Sequence, residues 1–223
     1  TGLSSEFVGH PITETLDLHQ SKEALKEGLG LDPLKGVVTL LPGSRPNEIT
    51  RHQTVIKEVA EKIHQEFPDM QIVVPLVSGS ALTEMLPDYV KVLYGRTSEA
   101  VACSEATAVA SGTATLETAL LGTPMVVFYR VSPLTYLLGR LLATVKFISL
   151  VNILSGKQVV LELLQKDANA DKIFSEIRRI LKDLSYRDKM IQNLIKIRGV
   201  LENKKPSARV AEIIGEITGW GRA

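Results

Sequence analysis

Short apolar runs alternate with stretches of helical period from Val37 to Tyr129, and the alternation predicts a chain of strand–helix–strand units. Val37 to Leu41 and Met70 to Leu76 have strand length and are separated by an amphipathic stretch from about Asn47 to Phe67, with Pro68-Asp69 as the break. A strand, a long helix and a second strand in that order imply parallel pairing, because a parallel partner is reached only through a crossover. The pattern continues with a short helix over Ser80 to Met85, a strand over Val90 to Tyr94 and a short helix over Thr97 to Cys103. A strand over Thr107 to Ala110, a helix over Thr115 to Leu121 ended by Gly122, and a strand over Met125 to Tyr129 follow. Gln71-Ile72-Val73-Val74 and Met125-Val126-Val127-Phe128 are apolar at successive positions, as in strands buried on both faces.

The fold class that follows is α/β, a Rossmann-like parallel sheet with helices on both faces and a helical carboxyl-terminal extension. Ahead of the sheet, Gly9 and Pro11 keep Phe7-Val8-Gly9-His10-Pro11 extended, and Ser21 caps a short helix that runs through Glu27 and ends at Gly28 and Gly30. Beyond Tyr129 the period turns helical: Pro133 to Val145, an irregular piece from Phe147 through Gly156, then Val159 to Gln165, Ala170 to Leu184, Ser185 to Glu202 and Ala208 to Ile217. The expected organisation is a connector over residues 1–20, a Rossmann-like domain over 21–168 and terminal helices over 169–223.

Composition narrows the function classes. The chain has 223 residues, 44% of them hydrophobic, enough to bury a substantial core, and a formal net charge of +1, which argues against a dedicated nucleic-acid binder. The lone Cys103 leaves no disulfide within the chain and no multi-cysteine metal site, and the four histidines have no ligand spacing, so neither metal nor cofactor is called for. A cytoplasmic setting is the default, with no signal peptide and no apolar run long enough to span a bilayer. A start at Thr1 suggests a piece of a longer polypeptide. Charge is uneven: Lys172 to Arg209 holds eleven Lys or Arg against four Asp or Glu. Such a segment suits anionic lipid or a phosphorylated ligand, or is simply the solvated face of terminal helices.

The chemistry lies in two glycine turns. Leu41-Pro42-Gly43-Ser44-Arg45 joins a strand to a helix, where unpaired N–H groups and a positive dipole end meet an anion; Gly43 permits close approach, Ser44 adds a hydroxyl and Arg45 a planar fork. Ser111-Gly112-Thr113-Ala114-Thr115-Leu116-Glu117 repeats the arrangement after a second strand, with Glu117 about one and a half turns into the helix, in reach of ribose hydroxyls. Both turns fall at carboxyl ends of strands and open on one crevice, two walls of a nucleotide-sugar site.

These blocks resemble the lipid-A-disaccharide synthase family. The resemblance rests on Phe7 to Pro11, Leu41 to Arg45 with Glu48, Ile72 to Leu76, Ser111 to Leu120, Pro124 to Val131 and the segments around Asn152 and Glu162, in order across nearly the whole chain. It implies the carboxyl-terminal, UDP-binding lobe of a two-lobed GT-B glycosyltransferase that transfers 2,3-diacylglucosamine, with inversion, from UDP-2,3-diacylglucosamine to 2,3-diacylglucosamine 1-phosphate, releasing UDP. The acceptor surface and general base are then expected in the other lobe, so no catalytic residue is assigned here. The resemblance further implies a peripheral place at the inner membrane of a Gram-negative-type bacterium. A homodimer is a further expectation.

For the donor site the resemblance implies Gly43, Ser44, Arg45 and Glu48 at the diphosphate together with Ser111, Gly112 and Thr113, Glu117 at the ribose, Gly95 and Arg96 near uracil, and Asn152, Glu162 and Gln165 closing over sugar and phosphate. Val151 and Leu161 depart from the family pattern; a missing proline at Val151 is expected to loosen the loop that presents Asn152. Two other readings stay open: a different UDP-sugar enzyme such as a UDP-N-acetylglucosamine epimerase, and a nucleotide-binding module without catalysis. His10 reads as a hinge or packing residue and Cys103 as a small buried one. The stretch Leu134 to Leu142 reads as either a core helix or an interfacial one.

Overall fold

A computed structural model of the protein describes residues 6, 8–14, 16, 20–76, 80–131, 146–202 and 206–218. The helix expected over Pro133 to Val145, with its acyl-chain or membrane reading, lies outside the described residues.

Among the described residues, one sheet runs through β1 (Val37–Leu41), β2 (Gln71–Leu76), β3 (Val90–Tyr94), β4 (Ala106–Ala110), β5 (Met125–Tyr129) and β6 (Leu161–Leu164), in the order β3-β2-β1-β4-β5-β6. Every neighbouring pair is parallel, with Val38 opposite Ile72 and Leu40 opposite Ala108 in the central strands. The helices are α1 (Lys22–Gly28), α2 (Pro46–Glu66), α3 (Thr97–Ala102), α4 (Thr113–Leu120), α5 (Leu150–Ser155), α6 (Ala170–Lys182), α7 (Leu184–Glu202) and α8 (Pro206–Thr218).

Alternation along β1 distributes side chains to the two faces. Val38 and Leu40 join the main core with Ile56, Val59 and Ile63 of α2 and with Ile173, Ile177 and Ile180, the fully buried stripe of α6. Val37 points the other way, into a smaller cluster with Leu25 and Leu29 of α1, Val73, Ala100 and Cys103. Thr39, buried on that side, is satisfied by the Ala100 carbonyl at 3.1 Å and the Ser104 hydroxyl at 2.7 Å. Burial also pushes the Cys103 thiol pKa up, which keeps it a protonated packing residue. Helix α7 belongs to the same core through Met190, Leu194, Ile197 and Leu201.

Two elements differ from the sequence expectation. Val159 to Gln165, read as helical, contains β6, which pairs with the free side of β5 with Glu162 opposite Val127. Gln165 ends it at a φ of 50°, a conformation no helix interior adopts. Phe147 to Gly156, read as irregular, contains α5; Ser149 caps it by accepting from the Asn152 N–H at 3.3 Å, and Gly156 closes it in the left-handed region. Val151, expected to loosen the loop that presents Asn152, is fully buried inside α5.

The basic excess after Lys172 is partly used in ion pairs. Arg178 and Lys182 of α6 both meet Glu66 at the end of α2, and Arg209 of α8 meets Glu6 at 2.7 Å.

Candidate functional site

β1 and β4 are neighbours, and the chain leaves them in opposite directions along the sheet, through α2 to β2 and through α4 to β5, so it parts beyond their carboxyl ends and leaves a crevice. A cavity of about 580 Å³ occupies it. Leu41, Gly43, Ser44, Arg45 and Glu48 form one wall, Ala110 to Ala114 with Glu117 the other, and Pro75, Leu76, Gly95 and Thr97 line it from the ends of β2 and β3. Nine of the thirteen residues expected at the donor therefore line a single cavity: Gly43, Ser44, Arg45, Glu48, Gly95, Ser111, Gly112, Thr113 and Glu117.

The first wall is built by a capping box. Glu48, in the first turn of α2, accepts from the Ser44 N–H at 3.3 Å, the Arg45 N–H at 3.4 Å and Nη1 of Arg45 at 3.0 Å. Gly43 is favoured by its φ of 115°, and a Cβ there would stand 2.9 Å from Oε2 of Glu48 and push that carboxylate out of place. The Arg45 side chain is 79% exposed, so its pairing with Glu48 is worth less than about 1 kcal/mol and yields readily to a stronger anion.

In the second wall, Gly112 precedes α4, and the N–H groups of Thr113 and Ala114 have no carbonyl one turn back to bond within the helix. Glu117 lies farther along α4, and the Ser98 hydroxyl of α3 donates to its Oε1 at 2.5 Å. Its Oε2 has no donor among the described residues. The cavity thus presents a guanidinium and a set of amides at one end and an oriented carboxylate at the other, complementary to a phosphorylated ligand that carries hydroxyls.

The family model for lipid-A-disaccharide synthetase matches residues 1–214. The chain belongs to the lipid-A-disaccharide synthase family. It is 39% identical to the lipid-A-disaccharide synthase of Myxococcus xanthus, over 99% of this chain and 59% of that protein, and 38% identical to that of Geobacter sulfurreducens, over 98% and 58%. It spans about three-fifths of the length of these curated relatives.

Among solved structures, UDP-GlcNAc 2-epimerase from Neisseria meningitidis bound to UDP-GlcNAc superposes with a TM-score of 0.62 at 14% identity, covering 94% of this chain and 54% of that one. The S. aureus MnaA–UDP structure gives 0.61 at 13%, covering 97% and 54%. Such low identities carry the fold alone, the Rossmann-like lobe of GT-B architecture. The epimerase reading is not favoured, since relatives far closer in sequence are synthases.

In this family member the other four expected residues lie apart from the cavity lining. Arg96 is held by Glu99 at 2.8 Å and by the Gly28 carbonyl at 2.5 Å. Asn152, fully buried, donates to the Val160 carbonyl and to Glu162 and accepts from the N–H groups of Val159 and Val160. Glu162 also accepts from Ser149 and from the Ile148 N–H, while Gln165 brackets Val131 through both its N–H and its carbonyl. These three residues brace the loops beyond β5 and before β6. His10 is local: its Nδ1 accepts from the Ile12 N–H at 3.2 Å at the start of the turn Pro11–Glu14.

Sequence reasoning passed over two residues beside the site. Ser98, which orients Glu117, has no sequence signal beyond its place in the first turn of a short helix. His52 had one, because it falls on the apolar stripe of α2 among Ile49, Val55, Ile56 and Val59, where a polar residue is buried.

Proposed function

We propose that the crevice binds UDP and that the chain is the donor lobe of an inverting glycosyltransferase. The enzyme transfers 2,3-diacylglucosamine from its UDP donor to 2,3-diacylglucosamine 1-phosphate, forming lipid A disaccharide 1-phosphate and UDP. The observation that carries the reading is the meeting of Arg45 and Glu117 across one cavity at the switch point of a sheet from this family. Arg45, Ser44 and the amides at the head of α4 take the diphosphate. Their task is to neutralise charge on the departing UDP, which fixed donors do without reorganising as the bond breaks. Glu117 accepts from the ribose hydroxyls, and Gly95, with open space around its Cα, leaves room for the base. Arg96 supports that side from behind.

Asn152, Glu162 and Gln165 act on the donor through the loops they brace. In this reading the acceptor and the general base are supplied by the facing lobe of the two-lobed architecture, and these residues alone do not turn over. The acylated substrates bring the enzyme to the cytoplasmic surface of the inner membrane as a peripheral protein; among the described residues no helix is long and apolar enough to cross a membrane.

Calorimetric titration with UDP tests the reading. Saturable binding that Arg45→Ala and Glu117→Ala each weaken is expected. No binding at millimolar UDP would sink it.

A further inference from the structure

His52 is fully buried beneath the crevice and joins the turns that follow two different strands. Its Nδ1 lies 2.6 Å from the carbonyl oxygen of Pro42, after β1, and its Nε2 accepts from the Arg130 N–H at 3.2 Å, after β5. A carbonyl only accepts and an amide only donates, so both contacts are satisfied together by one form of the ring, the neutral imidazole with its proton on Nδ1. A cation would set a second N–H against that of Arg130. The ring is held in place by the edge of Phe128, 5.0 Å away at 72°, and by Tyr129 at 6.2 Å.

The geometry then reaches the ligand site through one peptide plane. The Pro42 carbonyl and the Gly43 N–H belong to the same trans peptide and point in opposite directions. Fixing the carbonyl on His52 therefore aims the Gly43 N–H away from α2, and that N–H has no acceptor among the described residues. Gly43 itself lines the cavity.

We infer that His52 is a positioning residue of the donor site: as the neutral imidazole it holds the Pro42–Gly43 peptide so that the Gly43 N–H is presented to the ligand's diphosphate. The inference rests on the UDP reading above. The charged and titratable groups around the ring are Glu48 and Arg51 on α2 and Arg130 and Tyr129 at the end of β5. Burial outweighs the pull of the Pro42 carbonyl and of Glu48 and lowers the ring pKa, and the two arginines act in the same direction.

The test is UDP titration of the full protein as wild type, Arg45→Ala, His52→Leu and His52→Asn, with imidazole nitrogen NMR on the wild type at neutral pH. Leucine keeps the apolar volume and no donor, whereas the amide of asparagine places an N–H where Nδ1 stands. Expected are a loss of UDP affinity of about tenfold for His52→Leu, the worth of roughly one hydrogen bond to an anion, affinity near wild type for His52→Asn, and a neutral ring protonated on Nδ1. The inference is overturned by wild-type affinity in His52→Leu, by His52→Asn binding as weakly as His52→Leu, or by a charged or Nε2-protonated ring. The last readout needs no variant to fold. Wild type that fails to bind UDP overturns the donor-site reading and this inference with it; Arg45→Ala losing binding while both His52 variants keep it overturns this inference alone.

Discussion

The hydroxyl of Ser98 donates to Oε1 of Glu117 at 2.5 Å, tying the first turn of α3 to the middle of α4 across the end of the sheet. One carboxylate oxygen is thereby fixed and the other left for a ligand. Ser98→Ala should free Glu117 to rotate and cost UDP binding about 1 kcal/mol, roughly fivefold in affinity, with the melting temperature almost unchanged. Titration calorimetry beside a thermal melt reads both; unchanged affinity would show that Glu117 needs no orienting partner.

Gly43→Ala should damage fold and site together. The substitution places a side chain at a strained φ of 115° and a Cβ 2.9 Å from the Glu48 carboxylate, which must shift. A destabilisation of about 1–3 kcal/mol is expected from the backbone alone. Chemical denaturation measures it, and UDP affinity should fall as well because the capping box of Glu48 is displaced.

Arg45→Lys retains the charge and loses the fork. A diphosphate held in a bidentate manner should then bind on the order of tenfold more weakly. Stability should hold, since the exposed pair with Glu48 contributes little. Equal UDP affinities for the two side chains would reduce Arg45 to a simple point charge.

Asn152→Ala is expected to act first on stability. The side chain makes four hydrogen bonds in a buried setting, to Val160 twice, to Val159 and to Glu162. Removing it leaves several groups unsatisfied, at a cost of about 3 kcal/mol or more. A fall in melting temperature on the order of 10 °C should follow for a domain of this size. A melt within a degree or so of wild type would be incompatible with this network.

Acid should expose His52. Its folded-state pKa is lowered from 6.5, so as pH falls below that value the unfolded chain takes up a proton that the folded one refuses. Stability from this group is complete above 6.5 and declines with further acidification, at a slope approaching about 1.4 kcal/mol per pH unit until the folded pKa is reached. His52→Asn should lack this slope. Denaturation midpoints of the two proteins compared from neutral pH downwards would converge if the assignment is right and stay parallel if it is wrong.

Local chemistry in the sequence was enough for the α/β alternation, since strands buried on both faces and helices with one apolar stripe leave periods readable within a few residues of each other. The same holds for the two glycine turns, where Gly43, Arg45, Gly112 and Glu117 sit at offsets set by strand ends and helix starts. The expected helix at Val159 to Gln165 failed for a reason outside the segment: its apolar run suits either state, and the free side of β5 selected the strand. Ser149 and Gly156 did mark α5 at both ends, but as a cap and a stop around only six residues.

What the chain alone determined is thus which elements form around the site and which residues stand at their ends, because these depend on side-chain period, capping and backbone conformation over short spans. Tertiary structure alone decided that β1 stands next to β4 beneath the two turns, that Ser98 meets Glu117, that Asn152 and Glu162 serve one another, and that His52 links Pro42 to Arg130. Those contacts join residues brought together by sheet order and helix packing, and no local pattern encodes the partner on the other side.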